Sequence, residues 1–378
     1  MFALSSRITL CNLATSEERL DNETAAKGGR QAPGAPFIML MAVTVLLAAC
    51  ASPPGSKSAE GGPGAGKTAA GAGAPVTMAG VFCVCFSNAY VAWKKGFFEQ
   101  EGVHIKEFIT TKSGADTFQA VAAGDAQLAL NGLDAIMRGR EKGLEVRSIA
   151  TVSPEFYALI ARNEAASEIK APADLKGRKV AVSKIGSASW AFLLQLLKGA
   201  GLSADDVEIV QLGGIDTIMA GLKRGTVDAA VTWEPGTAQG TQQNFSKVLI
   251  NALEPADHQK LYGSKVSISM TLATTDGFIK SNPDVVRGAV RALDKADAWM
   301  AEHSAEEIAD VIGPLAQGLD RAVLVAAVKD TMNTMPKSAD VSKAAYTDSA
   351  NRLKEAGIIK EVPPVNEAFN CDIGKCTG

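Results

Sequence analysis

The amino-acid sequence predicts an α/β protein with two lobes, each built on a mostly parallel sheet. The chain has 378 residues, which exceeds the size at which a single hydrophobic core is usual. From residue 76 onward, short β-branched or aromatic segments alternate with segments of helical spacing. This alternation indicates parallel strands with helices on both faces of the sheet. The pattern restarts near residue 166, which predicts a second sheet.

Two apolar segments divide the predicted fold into its lobes. Phe156–Arg162 leaves the first alternating unit, and Val266–Ala273 returns to it after the second. We therefore predict a first lobe from residues 76–165 and 265–378, with residues 166–264 inserted as a second lobe. Two crossings make a hinge, and ligands of open α/β sheets bind beyond the carboxyl ends of the strands. The cleft between the lobes is the predicted binding site.

The first 75 residues are predicted to serve export rather than folding. The apolar run Phe37–Leu47 follows basic residues and precedes small ones, as in a secretory signal, which we place at residues 1–49 with an overextended leader. The run is too short to cross a bilayer as a mature helix. Leu47–Cys50 resembles a bacterial lipobox, so Cys50 is the predicted lipid attachment and membrane anchor. Residues 50–75, rich in Gly, Ala, Pro and Ser, predict a flexible tether.

Composition and spacing argue against several function classes. The formal net charge is -3 without a run of Lys or Arg, so no nucleic-acid partner is predicted. Gly61–Thr68 has the spacing of a phosphate-binding loop, but no strand precedes it and no helix follows it, so nucleotide binding is not predicted. The three histidines lack metal or catalytic spacing, and no G-x-S-x-G motif occurs. We predict no cofactor and no catalytic residue.

Three segments of the mature chain resemble one family of solute-binding proteins. Val91–Val103 is similar to an A-x-x-x-G-F-F-x-x-E-G signature, and Ala171–Val180 to a P-x-D-L-K-G-K-x-V lead-in. Leu222–Pro235 resembles a G-x-V-D-A…W-E-P segment. The family holds the nitrate-, sulfonate- and taurine-binding proteins and proteins resembling thiamine-pyrimidine synthases. The resemblance implies a periplasmic-binding-protein type II fold and delivery of a small-molecule solute to an ABC permease and its ATPase.

The predicted function is that of an extracytoplasmic solute-binding lipoprotein, located in the periplasm or at the cell surface. Its ligand is expected to be a small organic or anionic solute, either sulfonate- or nitrate-like or pyrimidine-like. An enzyme resembling the pyrimidine synthases is the alternative, although those are cytosolic and would carry neither leader nor tether. A lipoprotein that presents its ligand to a sensor, or that binds a soft-metal complex, is a further alternative.

Loops that follow strands supply the predicted ligand contacts. Helix starts in these loops leave backbone N–H groups that donate hydrogen bonds to an anionic group, although each Ser there could equally be a plain N-cap. Trp233 is either an aromatic wall of the cleft or a packing residue, and Glu234 either receives an amine or pairs with a lysine. The full predicted set is Ser87, Asn88, Ser113, Gly114, Asn131, Gly132, Gly186, Ser187, Ser189, Trp233 and Glu234.

Four cysteines beyond the tether allow three interpretations. Cys371 and Cys376 would close a small loop easily, whereas Cys83 and Cys85 lie two apart on a predicted strand, with both side chains on one face. Long-range disulfides between the tail and this strand are the first interpretation. A tail disulfide with reduced Cys83 and Cys85 is the second. The third is a thiolate site at Cys83 and Cys85 for a soft metal or metal complex.

Overall fold

A computed structural model describes residues 75–263, 267–316, 318–332 and 334–378. The predicted signal, the lipid-attachment Cys50 and the tether up to residue 74 lie outside the described residues. All described residues belong to one compact unit. No helix within the described ranges is long and apolar enough to cross a membrane.

Twelve strands and fifteen helices alternate along the described residues. The strands are β1 (Val76–Gly80), β2 (Ile105–Thr110), β3 (Leu128–Gly132), β4 (Val146–Ser153), β5 (Ala158–Arg162), β6 (Lys179–Val182), β7 (Glu208–Gln211), β8 (Ala229–Thr232), β9 (Ser246–Asn251), β10 (Met270–Thr275), β11 (Val341–Ser342) and β12 (Cys376–Thr377). The helices of the first half are α1 (Ser87–Lys94), α2 (Phe97–Gln100), α3 (Gly114–Ala122), α4 (Leu133–Glu141), α5 (Ala188–Gly199), α6 (Ile215–Arg224) and α7 (Gly236–Gln242). Those of the second half are α8 (Pro255–Tyr262), α9 (Asp276–Ser281), α10 (Pro283–Ala301), α11 (Ala305–Ile312), α12 (Arg321–Met332), α13 (Lys343–Glu355), α14 (Val365–Ala368) and α15 (Cys371–Gly374).

Two five-stranded sheets organise these elements, and both have the same topology. The first sheet has the order β2-β1-β3-β10-β4 and the second has the order β7-β6-β8-β5-β9. In each sheet the first three strands of this order are parallel to one another, and the fourth, β10 or β5, is antiparallel to both the third and the fifth. The predicted α/β fold with two mostly parallel sheets is confirmed.

The two antiparallel strands are the places where the chain changes sheet. Strand β5 pairs with β8 and β9 in the second sheet, although the sequence interpretation ended the first lobe at residue 165. The chain therefore passes from one sheet to the other between Ser153 and Ala158. Strand β5 is buried along nearly its whole length, and a continuous apolar segment of this kind is typical of a strand covered on both faces.

Helix α10 shows how the sequence fixes the packing of the first sheet. Pro283 opens the helix, where its missing N–H costs nothing. Val286, Val290 and Leu293 recur at helical spacing and are buried. At Gly288 an added Cβ would lie 2.5 Å from the carbonyl oxygen of Glu101. Only glycine therefore permits the close approach between α10 and the end of α2.

Candidate functional site

The loops after the strands of the two sheets meet directly across a closed cleft. The indole Nε1–H of Trp233, after β8, donates to the carbonyl oxygen of Phe82, after β1, at 3.3 Å. The backbone N–H of Val84 donates to the carbonyl oxygen of Glu234 at 3.2 Å. Both contacts join residues of the first sheet's loops to residues of the second sheet's loops, so the structure is a closed form.

Two side chains add polar contacts across the same cleft. The Nζ of Lys184, in the loop after β6, lies 2.8 Å from Oδ1 of Asp116 on α3. The pKa of the Asp116 carboxyl is lowered, because hydrogen bonds from Lys184 and Ser113 outweigh the opposing effect of burial. The guanidinium of Arg138, on α4, donates to the carbonyl oxygen of Gly186. These contacts stabilise the closed arrangement.

The inner cleft cavity is the space next to the crossings between the sheets. Its volume of about 20 Å³ is enough for about one water molecule. In this closed form the side chains of the two lobes therefore fill the cleft interior. The lining residues are Val81, Cys83, Cys85, Phe86, Gly114, Leu130, Asn131, Gly132, Phe156, Tyr157, Ser183, Ser187, Ala188, Trp233 and Met270.

The outer cleft cavity is larger, with a volume of about 410 Å³. It receives residues from the loops of both sheets and from the segment between α11 and α12. Trp233 lines both cleft cavities. The lining residues are Val81, Phe82, Thr110, Thr111, Lys112, Gly214, Ile215, Asp216, Trp233, Pro235, Gln239, Leu315, Ala316, Gly318 and Leu319. A volume of this size falls in the range of small-molecule sites.

Five of the predicted ligand contacts line the inner cleft cavity, and the structure brings them together from both lobes. They are Gly114, Asn131, Gly132, Ser187 and Trp233. Asn131 donates through Nδ2 to the carbonyl oxygen of Gly114 at 3.0 Å, which ties the ends of two neighbouring loops. At Gly132 an added Cβ would lie 3.1 Å from Cβ of Ala188 in the other lobe. Gly132 therefore permits the close contact between the lobes.

Ser87 and Asn88 occupy a different position from the predicted one. The hydroxyl of Ser87 donates to the carbonyl oxygen of Val84 at 2.6 Å. The Nδ2 of Asn88 donates to Oδ1 of Asp297 on α10 at 2.9 Å. Both side chains are buried among residues of the first lobe and line neither cleft cavity. Both residues lie in the first turn of α1. Their side chains bond to groups of the first lobe and so do not reach the cleft.

Two of the predicted serines at helix starts, Ser113 and Ser187, are N-caps. Ser113 accepts a hydrogen bond from the N–H of Asp116 at the start of α3, and Ser187 accepts one from the N–H of Trp190 at the start of α5. The hydroxyl oxygens of Ser189 and Ser183 lie 2.9 Å apart and share a hydrogen bond. Neither Ser113 nor Ser189 lines a cleft cavity. Ser187 combines both interpretations, because it caps a helix and also faces the inner cavity.

The carboxyl of Glu234 makes a hydrogen bond to the backbone of its own lobe. Its Oε2 accepts the backbone N–H of Ala238 at 3.1 Å, so the carboxyl caps the first turn of α7. Burial raises the pKa of this carboxyl to about 7. No lysine pairs with it among the described residues, and it lines neither cleft cavity. Gly186, with a φ of +84°, likewise lines neither cavity and serves to receive Arg138.

An aromatic cluster that sequence reasoning missed forms the back of the inner cavity. Tyr157 packs against Phe156 with ring centroids 4.4 Å apart and meets Trp233 edge-to-face at 6.0 Å. Trp233 is therefore both packed and part of the cavity wall. Phe156 and Tyr157 belong to the first crossing, which the sequence interpretation treated as a connection. Two adjacent aromatic residues beside a predicted hinge could have indicated that this segment lines the cleft.

Lys112 and Asp216 were also missed, and they place opposite charges in the outer cavity. Lys112 is exposed and follows β2. Asp216 lies in the first turn of α6, whose N-cap Gly214 supplies no side-chain hydrogen bond. The first N–H groups of α6 therefore have no side-chain cap, and Gly214, Ile215 and Asp216 line the cavity. The site can hold a solute with an apolar body and at least one charged group.

The cysteines form two short-range disulfides. Cys371–Cys376, with a Cα–Cα distance of 4.9 Å, confirms the tail disulfide of the second interpretation. Cys83–Cys85, with a Cα–Cα distance of 5.1 Å, shows that the long-range interpretation was wrong and that these two thiols are not reduced. Strand β1 ends at Gly80, and Cys83 caps a 3-10 turn over Val84–Phe86, so strand alternation does not apply.

The disulfide also removes the thiolates on which the third interpretation depended. A soft-metal site at Cys83 and Cys85 requires two free sulfur ligands, and in this structure each sulfur is bonded to the other. Among the described residues, no group of three or more His, Cys, Asp or Glu side chains could hold a metal ion. Both cysteines remain in the wall of the inner cavity.

Comparisons with known proteins agree with this architecture. The chain is 30% identical over 288 residues to a putative aliphatic sulfonates-binding protein of Bacillus subtilis, covering 75% of this chain and 81% of the relative. It is 22% identical over 233 residues to a 4-amino-5-hydroxymethyl-2-methylpyrimidine phosphate synthase of Aspergillus parasiticus, covering 59% of this chain and 66% of the relative. The alkanesulfonate-binding protein of Xanthomonas axonopodis pv. citri, solved with bound MOPS, superposes with a TM-score of 0.64 at 19% identity, covering 79% of this chain and 99% of that chain.

A family profile extends this likeness over most of the folded chain. The family described as NMT1/THI5 like matches residues 85–307. The matched range contains Val91–Val103, Ala171–Val180 and Leu222–Pro235, the three segments that carried the resemblance, which is thereby confirmed. The chain therefore belongs to the NMT1/THI5-like family.

Proposed function

We propose that this protein is the extracytoplasmic solute-binding component of an ABC importer and that it captures a small organic anion of the sulfonate class between its lobes. The observation that carries the proposal is the outer cleft cavity of about 410 Å³, lined from both sheets of a closed two-lobed fold. A solute in this position contacts both lobes at once, so its binding stabilises closure.

The charged end of the solute is proposed to lie between Lys112 and the start of α6. The ammonium group of Lys112 supplies the positive charge, and the first N–H groups of α6 supply donors for anionic oxygens. Asp216 repels an anion that approaches it directly. A sulfonate held on the Lys112 side, away from Asp216, satisfies these constraints. A solute that also carries a positive group could place that group near Asp216.

The uncharged part of the solute is proposed to pack on the apolar side of the same cavity. Phe82 and Trp233 form one part of this wall, and Leu315 and Leu319 form another. Burying an alkyl chain against them contributes about 25 cal/mol per Å² of apolar surface removed from water. The wall favours an alkyl or aryl sulfonate over an inorganic anion, which agrees with the aliphatic sulfonates in the name of the Bacillus subtilis relative.

A ligand-binding measurement with a matched pair of variants tests this proposal. We expect 1-butanesulfonate to bind in calorimetry and 1-butanol, which lacks the charge, to bind at least tenfold more weakly. Lys112→Met should weaken sulfonate binding about tenfold, equivalent to about 1.4 kcal/mol. Lys106→Met, on the exposed side of β2, is the control. Equal affinities of the two variants, or stronger binding of a pyrimidine than of any sulfonate, would contradict the proposed ligand class.

The anchor and location are part of the same proposal. A lipid on Cys50 would hold the protein at the outer face of a membrane, beside the permease and ATPase that would be its partners. We expect Cys50→Ser to release the protein from the membrane fraction. Cys11→Ser is the matched control, since Cys11 lies in the predicted leader. Membrane attachment that survives Cys50→Ser would refute lipid anchoring at this residue.

A binding role rather than catalysis is proposed, although the family contains synthases. The relative that reaches 30% identity is described as a binding protein, and the cleft residues make structural hydrogen bonds to one another. Genes for a permease and an ATPase beside this gene would favour import, whereas a neighbouring sensor gene would favour signalling. Turnover of a bound pyrimidine precursor by the purified protein would overturn the binding role.

A further inference from the structure

The segment of residues 82–84, which follows β1, makes two hydrogen bonds to the other lobe. The carbonyl oxygen of Phe82 accepts the indole N–H of Trp233 at 3.3 Å. The backbone N–H of Val84 donates to the carbonyl oxygen of Glu234 at 3.2 Å. Both partners follow β8 in the second sheet. The position of this short segment therefore decides whether the closed contact between the lobes can form.

The Cys83–Cys85 disulfide fixes the conformation of this segment. The ring that it closes contains Val84, and its first cysteine adjoins Phe82. The backbone N–H of Cys85 donates to Sγ of Cys83 at 3.1 Å. Sγ of Cys83 thereby caps the 3-10 turn over Val84–Phe86. The two sulfur atoms thus hold in place both residues that touch the second lobe.

The closed wall around the disulfide has no room for a pair of thiols. Cys83 and Cys85 are each 1% exposed, and the inner cleft cavity beside them measures only about 20 Å³. Phe86 and Trp233 line the same cavity. Two thiols need more space than a disulfide, because sulfur atoms that are not bonded cannot approach to bonding distance and each gains a hydrogen. Reduction would therefore push residues 82–84 out of the position that the closed form requires.

The same burial controls how a reductant reaches the bond. The inner cavity of the closed form holds about one water molecule, so a dithiol can reach the sulfur atoms only when the lobes are apart. One thiolate of the dithiol then attacks a cysteine sulfur, the S–S bond breaks and a mixed disulfide forms. The second thiol of the reductant releases that cysteine and closes the reductant's own disulfide. Two electrons and two protons pass to the protein, and both cysteines become thiols.

We propose that the Cys83–Cys85 disulfide is a redox-sensitive element of the cleft wall and that the lobes close fully only over its oxidised form. Reduction by a dithiol shifts the protein toward an open form, in which the two thiols have room. The coupling acts equally in both directions, so closure of the lobes also makes the disulfide harder to reduce. It acts on closure itself and is the same whichever class of solute the cleft binds.

The indole N–H of Trp233 reports on closure without any solute. The chain has four tryptophans, and Trp233→Phe assigns this resonance in the full-length protein labelled with isotopic tryptophan. We expect its hydrogen exchange to become about tenfold faster once dithiothreitol has reduced Cys83 and Cys85, because the N–H loses its hydrogen bond to Phe82. Trp299 on α10 should not respond. Alkylation of a parallel sample, followed by mass spectrometry, measures the extent of reduction.

Two matched double substitutions assign the effect to this disulfide. Replacing both Cys371 and Cys376 by serine removes the tail disulfide and should preserve the whole response to dithiothreitol. Replacing both Cys83 and Cys85 by serine should abolish it.

The proposal is overturned if the exchange rate of Trp233 is unchanged in the reduced protein, or if the response disappears with the tail cysteines instead. Resistance of the bond to every concentration of dithiothreitol that leaves the fold intact also overturns it, since an open form would expose the sulfur atoms. None of these measurements uses a sulfonate. Failure of 1-butanesulfonate to bind and failure of the redox-sensitive wall are therefore separate outcomes.

Discussion

Strand β1 of the first sheet and strand β6 of the second occupy equivalent places in the two sheets. Each is followed by a loop that faces the cleft, and the two loops have different chemistry. After β1 in the first sheet, Cys83 and Cys85 are linked by a disulfide beside Phe86. After β6 in the second sheet, the hydroxyl of Ser183 donates to that of Ser187 at 2.8 Å. One wall of the inner cavity is thus covalently closed and apolar, while the opposite wall is a set of paired hydroxyl groups.

The loops after the third strands differ in the same way. Asn131 and Gly132 follow β3, where small and polar residues allow the lobes to approach. Trp233 follows β8 and reaches across to Phe82. The identical strand order places these loops opposite one another, but the residue types decide what each wall does. Topology therefore locates the cleft, whereas the residues of its loops determine which solute can enter.

The largest effect is expected from the residue that joins the two walls. Trp233→Ala should weaken solute binding tenfold or more, since the ring lines both cleft cavities and donates to Phe82. Loss of a buried tryptophan also costs about 3–5 kcal/mol of folding stability. Calorimetry with 1-butanesulfonate measures the binding effect. Trp233→Phe keeps an aromatic wall and should lose less affinity, and Trp299→Ala on α10 is the control. If a folded Trp233→Ala protein bound 1-butanesulfonate with full affinity, Trp233 would serve only in packing.

A smaller effect is expected from opening the covalently closed wall. Replacing both Cys83 and Cys85 by serine should lower the free energy of unfolding by about 1.5 kcal/mol, because the disulfide restrains a short loop in the unfolded chain. Denaturant unfolding of the full-length protein measures this difference. The Cys371–Cys376 disulfide closes a slightly longer loop. Replacing both of these cysteines by serine should therefore lower the free energy of unfolding by about 2 kcal/mol. Alkylation before reduction should label none of the four cysteines, and a labelled Cys83 would contradict the observed pairing.

The buried carboxyl of Glu234 is expected to make stability depend on pH. Burial raises its pKa from 4.5 to about 7 in the folded protein, so its contribution is fully present below about pH 4.5 and is lost as the pH rises through 7. Glu234→Gln should remove this part of the slope and raise the melting temperature at pH 8. The exposed Glu302→Gln is the control. An unchanged slope between pH 5 and 8 would show that Glu234 is not the titrating group.

The smallest effect is expected from the salt bridge across the cleft. Lys184 and Asp116 are half-exposed, and such pairs contribute about 0–1 kcal/mol. Lys184→Met should therefore weaken solute binding by less than about fivefold. Lys179→Met, which removes an exposed pair within the second lobe, is the matched control. An effect larger than that of Trp233→Ala would mean that charge, rather than the aromatic contact, holds the lobes closed.

Much of the fold was predictable because its signals are local, while the site depended on distant contacts. Apolar segments such as Val180–Val182 and glycines at helix ends identified most strands and helices. The N-cap role of Ser113 followed from its position before a helix. The Cys83–Cys85 disulfide was missed because nothing in the sequence shows that β1 ends at Gly80. Tyr157 was missed because its partner Trp233 lies in the other half of the fold.

The sequence by itself determined two α/β units, their connection by two crossings and the membership of the NMT1/THI5-like family, because periodicity and short motifs are written in neighbouring residues. Only the tertiary structure decided which side chains line the cleft. Trp233 and Phe82 are separated by 151 positions in the chain, and their contact exists only when the lobes close. Ser87 and Asn88 follow the expected strand, but they begin α1 and their side chains are buried in the first lobe. The direction of a side chain at a helix start depends on how that helix packs.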